Sequence, residues 1–492
     1  MIRSHRLSLV SSVVVVALGW QSHAWADSLT FAAGDLVISA EGEGISGTTY
    51  TDNQAAPITL YQFAVNGTSS ASAAGAMMLP ETSSGANWAI SGEYGSSSEG
   101  SLQLSGNGQY LTIMGYGVNS VAFNASPTSY GTLTTDPTKP TALGQSGSLA
   151  NAGYTTVPRV VALIGADGSV DTSTAITGVY NGNNPRSVYT QNGTSFYISG
   201  QGNSPDSTGG VYYAIKGATT ATAITGNDTS SGTASQDTRM VTVYNGQLYV
   251  SVDSKEGSGA ARSYIGTLGS AGSLPTSLAN GGAGPTALSG FQTKGQINIT
   301  SATSNGINQA GQQVNLSPEN YFFANASTLY IADSGISKQT SATSSLGDGG
   351  LQKWVNSKAD GTGTWSLEYT LSAGLGLVAN TAAAGTTGLL GLTGKVVGNN
   401  VELFATNYTI GDTDPTYLYG ITDALGGTSD TGESFTMLEA APADTDFKGV
   451  SFAPVPLPAG LPLLISGLAV LGLFCVRRPL PHPHDHLAKV TA

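Results

Sequence analysis

The stretch VTVYNGQLYVSVDS at residues 241–254 decides the fold, because apolar and polar residues alternate on both sides of a central Asn-Gly pair. Alternation with a period of two predicts β-strands that bury one face. Asn245 and Gly246 suit the positive φ angles of a tight hairpin turn. The stretch therefore predicts a two-stranded hairpin with Tyr249 in its second strand.

The same pattern recurs along residues 27–454. Four further stretches place a turn between two strands, the second of which carries an aromatic residue: SLQLSGNGQYLTIMGYG (101–117), SVYTQNGTSFYISGQG (187–202), YFFANASTLYIADSG (321–335) and KVVGNNVELFATNYT (395–409). Additional strands are expected at 211–215, 262–266, 351–355 and 417–421, and a further hairpin at 157–171. Each unit therefore supplies at least three strands.

Repeated units of three or four strands, without helical periodicity between them, predict an all-β, β-propeller-like ectodomain. With roughly 50–65 residues per unit, the segment 27–454 accommodates six to eight blades. Because each blade packs on the next, the recurrent aromatic residues are predicted to be core: Tyr110, Tyr197, Tyr249, Tyr330 and Phe404. An array of β-sandwiches and a parallel β-helix are the alternatives, the latter disfavoured because its rungs are shorter and more regular.

The stretch FKGVSFAP at 447–454 resembles the last strand of several propeller families, which closes the ring with N-terminal sequence. The segment ITLYQF at 58–63 is its expected partner.

Composition excludes several classes of function. The 492-residue chain has a formal net charge of −13, and residues 27–454 contain 13 basic and 30 acidic residues, a net charge of −17. A basic stripe for phosphate binding is missing, so we expect no nucleic-acid partner. The one cysteine, Cys475, and all five histidines lie outside this segment. The ectodomain therefore cannot build a relay that needs imidazole or thiol, or a His/Cys zinc site.

The N-terminus has the three parts of a signal peptide. Arg3 and Arg6 precede an apolar stretch, and Ala24-Trp25-Ala26 gives signal peptidase a small-x-small site with Asp27 as the mature start. An uncleaved anchor is the alternative, but the apolar stretch is short for a membrane span of about 20 residues. Residues 1–26 are therefore predicted to direct export.

The C-terminus carries a second apolar segment. Residues 457–476 contain no charged side chain. This apolar segment is long enough to form a transmembrane helix. Arg477 and Arg478 follow at once and would keep that end in the cytoplasm. We expect a membrane helix within 455–478, a cytoplasmic tail at 479–492, and an ectodomain outside.

This order resembles the PEP-CTERM sorting signal of Gram-negative bacteria, in its VPLPA-type variant. The matching residues are Val455, Pro456, Leu457, Pro458, Ala459, Arg477 and Arg478. The resemblance implies that the helix is a transient inner-membrane anchor, recognised by an exosortase-type sorting protease. The protein would then reach the cell surface or the extracellular matrix. Two features depart from the family pattern: no acidic residue lies in the motif, and the tail continues to Ala492.

Two classes of function follow. The first is a non-catalytic scaffold that binds exopolysaccharide or another protein. The second is a secreted glycoside hydrolase or lyase that uses two carboxylates. Strand-end candidates for the second class are Asp237 beside Arg239, Asp253 with Glu256, and Asp333, although no motif selects a pair. No catalytic residue is assigned, and the scaffold is the favoured interpretation.

Calcium is the one candidate cofactor. Asp167 with Asp171, and Asp412 with Asp414, offer oxygen ligands in Gly-rich loops, but neither pair completes a calcium-loop motif. A role as turn residues is the stronger interpretation for all four. Three arginines, at positions 159, 186 and 239, recur before strand pairs and are expected to pair with acids or carbonyls. Lining a channel mouth that grips an anionic sugar is the further hypothesis for them.

Overall fold

The computed structural model describes an all-β chain. It covers residues 29–44, 48–132, 141–151, 153–203, 206–225, 237–253, 263–282, 284–291, 296–298, 303–304, 307–308, 313–335, 349–379 and 382–456. The predicted processing residues Ala24, Ala26 and Asp27 lie outside the described residues. So do Glu256 and these members of the sorting signal: Leu457, Pro458, Ala459, Arg477 and Arg478. In the ranges given above, no helix has the length and hydrophobicity to cross a bilayer.

The strands follow one another along the whole described chain. Those of the first part are β1 (Leu36–Glu41), β2 (Ala55–Asn66), β3 (Ser70–Met78), β4 (Ser91–Glu93), β5 (Gln103–Leu104), β6 (Tyr110–Tyr116), β7 (Arg159–Gly165), β8 (Val170–Ile176), β9 (Pro185–Tyr189), β10 (Ser195–Gly200), β11 (Gly210–Ile215), β12 (Thr222–Ala223), β13 (Thr238–Tyr244), β14 (Gln247–Asp253), β15 (Ser263–Leu268) and β16 (Thr286–Ala287). One short helix, α1 (Ser120–Ala125), and 3-10 turns at Pro127–Tyr130, Leu143–Gln145 and Asn280–Gly282 interrupt them.

The second part of the chain contributes the remaining strands. They are β17 (Gln296–Asn298), β18 (Thr303–Ser304), β19 (Ile307–Asn308), β20 (Gln313–Asn315), β21 (Pro318–Asn325), β22 (Thr328–Asp333), β23 (Gly350–Asn356), β24 (Trp365–Leu371), β25 (Thr386–Val397), β26 (Asn400–Thr409), β27 (Tyr417–Ala424), β28 (Thr436–Ala440) and β29 (Asp446–Phe452).

Four antiparallel sheets of four consecutive strands form the repeating unit: β9–β12, β13–β16, β21–β24 and β25–β28. A nine-stranded sheet runs in the order β29-β1-β2-β4-β6-β7-β8, with β3 on β2 and β5 on β6. The five quoted repeat stretches each form a paired hairpin, so those predictions are confirmed. The hairpin predicted at 157–171 is β7–β8, with Gly168 at positive φ in its turn.

The sheets are arranged like propeller blades, because the first strand of each sheet packs against the next sheet. Ser187 on β9 accepts a hydrogen bond from Val241 N on β13 at 2.9 Å. Thr387 on β25 donates to Ser334 O at the end of β22, at 2.8 Å. Glycine permits this approach: a Cβ on Gly388 would lie less than 3.0 Å from Asp333 O. The first strands therefore surround a common centre.

The last strand closes the arrangement on the first. β29 pairs with β1, with Leu36 opposite Phe452 and Ile38 opposite Val450. The expected partner, 58–63, is instead the next strand outward, since β2 pairs with the other edge of β1. The sequence pattern missed β1 because all six of its residues are buried, so its two faces do not alternate in polarity.

Most of the recurrent aromatic positions are core, as predicted. Tyr197, Tyr330 and Phe404 are buried, whereas Tyr110 and Tyr249 are only partly buried. Tyr249 lies with its ring centroid 4.7 Å from that of Phe323 on β21. It therefore contributes to the contact between two neighbouring sheets even at its partial exposure.

Candidate functional site

Charged side chains concentrate at one end of the central strands. We call this end the entry face, defined by the residues at which β9, β13, β21, β25 and β29 begin. Arg186, Arg239, Glu319 and Lys448 lie within the first three residues of four of these strands. Because antiparallel neighbours run the opposite way, Asp253 at the end of β14 reaches the same face.

Arg239 organises the first group of charges. Its Nη1 lies 2.5 Å from Glu319 Oε2, its Nη2 3.4 Å from Asp253 Oδ2, and its Nε 3.7 Å from Asp237 Oδ1. Burial lowers the pKa of Arg239, but the three carboxylates outweigh burial and hold that pKa above its usual range. The guanidinium is thus a permanent cation enclosed by acids from three strands or strand ends.

The other two arginines are also taken up by protein groups. Arg186 forms an ion pair with Asp237 and donates to Gln201 Oε1 at 2.8 Å. Arg159 donates to four backbone carbonyl oxygens at 2.8–3.1 Å: Ser146, Val157, Tyr180 and Asn183. The predicted pairing of the arginines with acids or carbonyls is confirmed. An anionic sugar would have to displace these partners.

Lys448 on β29 organises the second group. Its ammonium binds Asp446 and the carbonyl of Ser96, and lies 3.6 Å from Glu41 Oε2. Burial raises the pKa of Glu41 well above its usual range, and the positive charge of Lys448 offsets this only in part. Glu41 therefore holds a proton to a higher pH than an exposed glutamate does.

Two more buried carboxyls lie beside this group. Glu99 accepts hydrogen bonds from Tyr116 and Asn184, and Glu93 accepts one from Gly144 N. Burial, with the charge of Glu99, raises the pKa of Glu93 well above its usual range. Burial also raises the pKa of Glu99, against the hydrogen bonds that it accepts. The charge of one carboxyl thus makes it harder for the other to ionise.

A small cavity separates the two groups. It is lined by Glu99, Arg186, Arg239, Glu319 and Lys448, among others. The space open to the centre of a water molecule is about 20 Å³, which holds little more than one water. The centre is therefore filled by side chains that bind each other.

The carboxylates proposed for hydrolysis have structural partners. Asp237 and Asp253 share Arg239. Asp333 accepts hydrogen bonds from Ser317 N, Gly335 N and Gln352 Nε2 at 2.8–3.0 Å. These contacts join sheet ends, and they leave the aspartates poorly placed to attack a ligand.

The calcium candidates lie in two places. Asp167 accepts from Ser169 in the β7–β8 turn, and Asp171 accepts from Ser173 while its Oδ2 lies 2.8 Å from Lys216 Nζ. These are the contacts of turn residues and of a surface ion pair.

Asp414 accepts from Gly385 N and Gly411 N, and Asp412 is its exposed neighbour. In the part of the chain that the structure describes, no group of three or more His, Cys, Asp or Glu side chains is placed to hold a metal ion. Calcium binding stays a prediction.

A third buried group joins the last two sheets away from the centre. Lys353 Nζ lies 2.8 Å from Asp423 Oδ2 and is fully buried. Tyr369 donates to Asp423 Oδ1 at 2.6 Å, and Tyr330 donates to Asp423 Oδ2. The sequence patterns did not indicate this group. They also did not indicate the buried charged residues Glu41, Glu93, Glu99, Glu319 and Lys448. The available signal was a charged residue inside an otherwise apolar strand, as in PENYFF and DFKGVSF.

No known protein family matches the chain, and no curated protein matches it. Solved structures similar to it include the Trypanosoma rangeli sialidase in complex with the inhibitor DANA, at 11% identity and a TM-score of 0.33; the match covers 91% of this chain and 56% of the sialidase. A glycosyl hydrolase from Bacteroides ovatus matches at 9% identity and a TM-score of 0.29, covering 66% of this chain and 83% of the hydrolase. AztD from Citrobacter koseri matches at 9% identity and a TM-score of 0.28, covering 87% and 100%. The chain thus spans little more than half of the sialidase. TM-scores this low do not indicate a shared function.

Proposed function

We propose that this chain is an exported, non-catalytic propeller scaffold of the cell surface or extracellular matrix that binds polysaccharide or another protein. The observation that carries the proposal is the centre of the molecule, which we call saturated because its cations are already bound by protein acids. Arg186, Arg239 and Lys448 are each bound by buried acids, around a space of about 20 Å³.

Glycoside hydrolysis would need a different arrangement. It requires two carboxyls roughly 5–10 Å apart on either side of the scissile bond, with room for the sugar ring. Glu319 and Asp253 instead face one guanidinium, which holds both carboxyl groups in place.

A secreted carboxylate-dependent glycoside hydrolase or lyase is the second candidate, and one observation favours it. Burial raises the pKa of Glu93 and Glu99, as a general acid requires. The small central space argues against it.

We propose six blades for the scaffold. The four four-stranded sheets supply four, and the nine-stranded sheet supplies two more, β29-β1-β2-β3 and β5-β6-β7-β8. Contacts of β5 with β9 on one side and with β29 on the other support a closed ring. Six lies within the range of six to eight expected from the repeat length.

The processing route belongs to the same proposal. Signal peptidase would remove residues 1–26, and an exosortase-type protease would act at the motif that begins with Val455 and Pro456. The backbone N of Val455 donates to Gly108 O at 2.8 Å, directly after β29. A cut after this residue would thus leave the contacts of β29 with the sheets intact.

Mass spectrometry of the protein purified from its native host tests the route. We expect a mature N-terminus at Asp27 and a C-terminus close to Val455–Ala459. An intact C-terminus at Ala492 would contradict sorting by cleavage. Incubation of the same protein with the host exopolysaccharide should leave the polymer length unchanged, whereas shortened products would contradict a scaffold.

A further inference from the structure

Two adjoining pockets lie on the entry face, outside the saturated centre. The tyrosine groove has a volume of about 420 Å³ and is lined by Leu375, Pro415, Tyr417, Tyr419 and Met437, among others. The acidic pocket has a volume of about 300 Å³, and its lining includes Tyr94, Asp414, Asp444 and Asp446. Asp414 and Pro415 line both, so the two pockets form one continuous surface of the size that small ligands occupy.

The strand register builds the floor of the tyrosine groove. Tyr417 and Tyr419 are two residues apart on β27, so their side chains point to the same side of the sheet. Met437 on β28 pairs with Tyr419 across the ladder and is 56% exposed. Tyr417 is partly buried. The groove therefore presents aromatic and thioether surface to solvent at a strand end.

The hydroxyl of Tyr419 is the informative group in the groove. Tyr419 is only 5% exposed and lines the groove. No other described residue forms a hydrogen bond with its hydroxyl, which is therefore available to a ligand in the groove. The groove therefore offers one hydrogen-bonding group from a side chain that packing holds in place.

The acidic pocket sets the charge of the ligand. Among the described residues that line either pocket there is no lysine or arginine. Asp446 is 5% exposed, and its carboxylate is bound by Lys448 behind the pocket. Asp444 and Asp414 add two more carboxylates. A wall of this kind attracts cations and repels anions.

We infer that this surface binds a glycan that carries free amino groups. The inference rests on the proposed scaffold function and names its binding site. The sugar rings would lie along Tyr417 and Met437, with a ring hydroxyl bonded to Tyr419. Ammonium groups would lie near Asp444 and Asp414, and an ammonium over a tyrosine face gains further attraction.

Calorimetric titration of the mature protein with a glucosamine tetrasaccharide tests the inference. The fully N-acetylated tetrasaccharide is the matched ligand, because it keeps the rings and loses the charge. We expect the glucosamine ligand to bind about tenfold more tightly, and the difference to shrink as salt is added. Equal affinity for the two ligands would overturn the charge argument.

Two conservative variants place the ligand. Tyr419→Phe removes only the hydroxyl and should weaken binding about three- to tenfold, the value of one hydrogen bond. Asp444→Asn should weaken it about threefold, as expected for an exposed charge pair, and asparagine tolerates the φ of 59° at that position. Both should unfold at the wild-type temperature. Asp360→Asn, in the β23–β24 turn on the other face, is the matched control and should bind as the wild type does.

The outcomes separate this inference from the scaffold proposal. Unchanged binding by Tyr419→Phe and Asp444→Asn would overturn the site. Failure to bind the glucosamine tetrasaccharide, with the host exopolysaccharide still retained, would overturn the ligand class and leave the scaffold proposal standing. Cleavage of the tetrasaccharide would overturn the non-catalytic function, and the two variants would still report whether the groove holds the sugar.

Discussion

At the scale of the residue, Arg239 is the strongest single determinant of the centre. It is 2% exposed and faces Glu319, Asp253 and Asp237. Removing the cation would leave several buried carboxylates without their main counter-charge. The loss of folding free energy is then far larger than when both partners of a buried ion pair are replaced by apolar residues. Because Glu319, Asp253 and Asp237 neutralise this buried cation, we propose that they have a structural role.

Arg239→Met should therefore lower the free energy of unfolding by about 3–5 kcal/mol, the loss typical of breaking a buried ion pair. Urea unfolding followed by circular dichroism measures it. Adding Glu319→Gln to that variant should restore part of the loss, because one uncompensated charge is removed. A loss below about 1 kcal/mol, within the range of exposed pairs, would show that the network is solvated.

Glu433 gives a second prediction at this scale, because its carboxyl lies near Asp423. Burial, with the hydrogen bond to Asp423 and its charge, raises the pKa of Glu433 to about 8 from an ordinary value of 4.5. The folded state thus binds this proton more tightly than the unfolded state. Its contribution to stability is complete below pH 4.5 and is lost as the pH rises to about 8.

Glu433→Gln removes that titration. The free energy of unfolding, measured in urea at several pH values, should fall less steeply for the variant than for the wild type between pH 4.5 and 8. Parallel curves for the two proteins over this interval would contradict the raised pKa of Glu433.

At the scale of the element, the hairpins were predictable and the charged centre was not. Alternation and Asn-Gly turns are local signals, so β9–β10 and β13–β14 could be located from the sequence. Strand β1 could not, since both of its faces are buried. The partners of Arg239 include Glu319, 80 positions away. Such pairs follow from how the sheets pack, which no local pattern encodes.

Close approach between sheets gives a prediction for Gly449 on β29. A Cβ there would lie less than 3.0 Å from Leu102 N and Gly100 O, which are backbone atoms that cannot move aside freely. Gly449→Ala should lower the free energy of unfolding by about 1–3 kcal/mol, as overpacking does. Gly426→Ala is the matched control, because a Cβ at Gly426 meets nothing within 4 Å. Equal thermal unfolding temperatures for the two variants would refute close contact between β29 and residues 100–102.

At the scale of the whole molecule, stability depends on how the two ends of the described chain meet. β29 places Phe447 and Val450 in the core and Lys448 among the acids. Without β29, β1 would expose an unpaired edge and the buried acids would lose their lysine. By contrast, the backbone hydrogen bond from Val455 N to Gly108 O is the last one between the C-terminal end of the described chain and the sheets. The residues after Val455 lie beyond it.

Two truncations of the mature chain test this division. A protein that ends at Pro456 should unfold cooperatively, at the same temperature as the protein isolated from the host. A protein that ends at Ala443 lacks the whole of β29, so its unfolding should lose cooperativity and its near-ultraviolet circular dichroism should fall, because the remaining sheets no longer close around the centre. Cooperative unfolding of the shorter protein at an unchanged temperature would show that the sheets stand independently, and the closed ring would then be wrong.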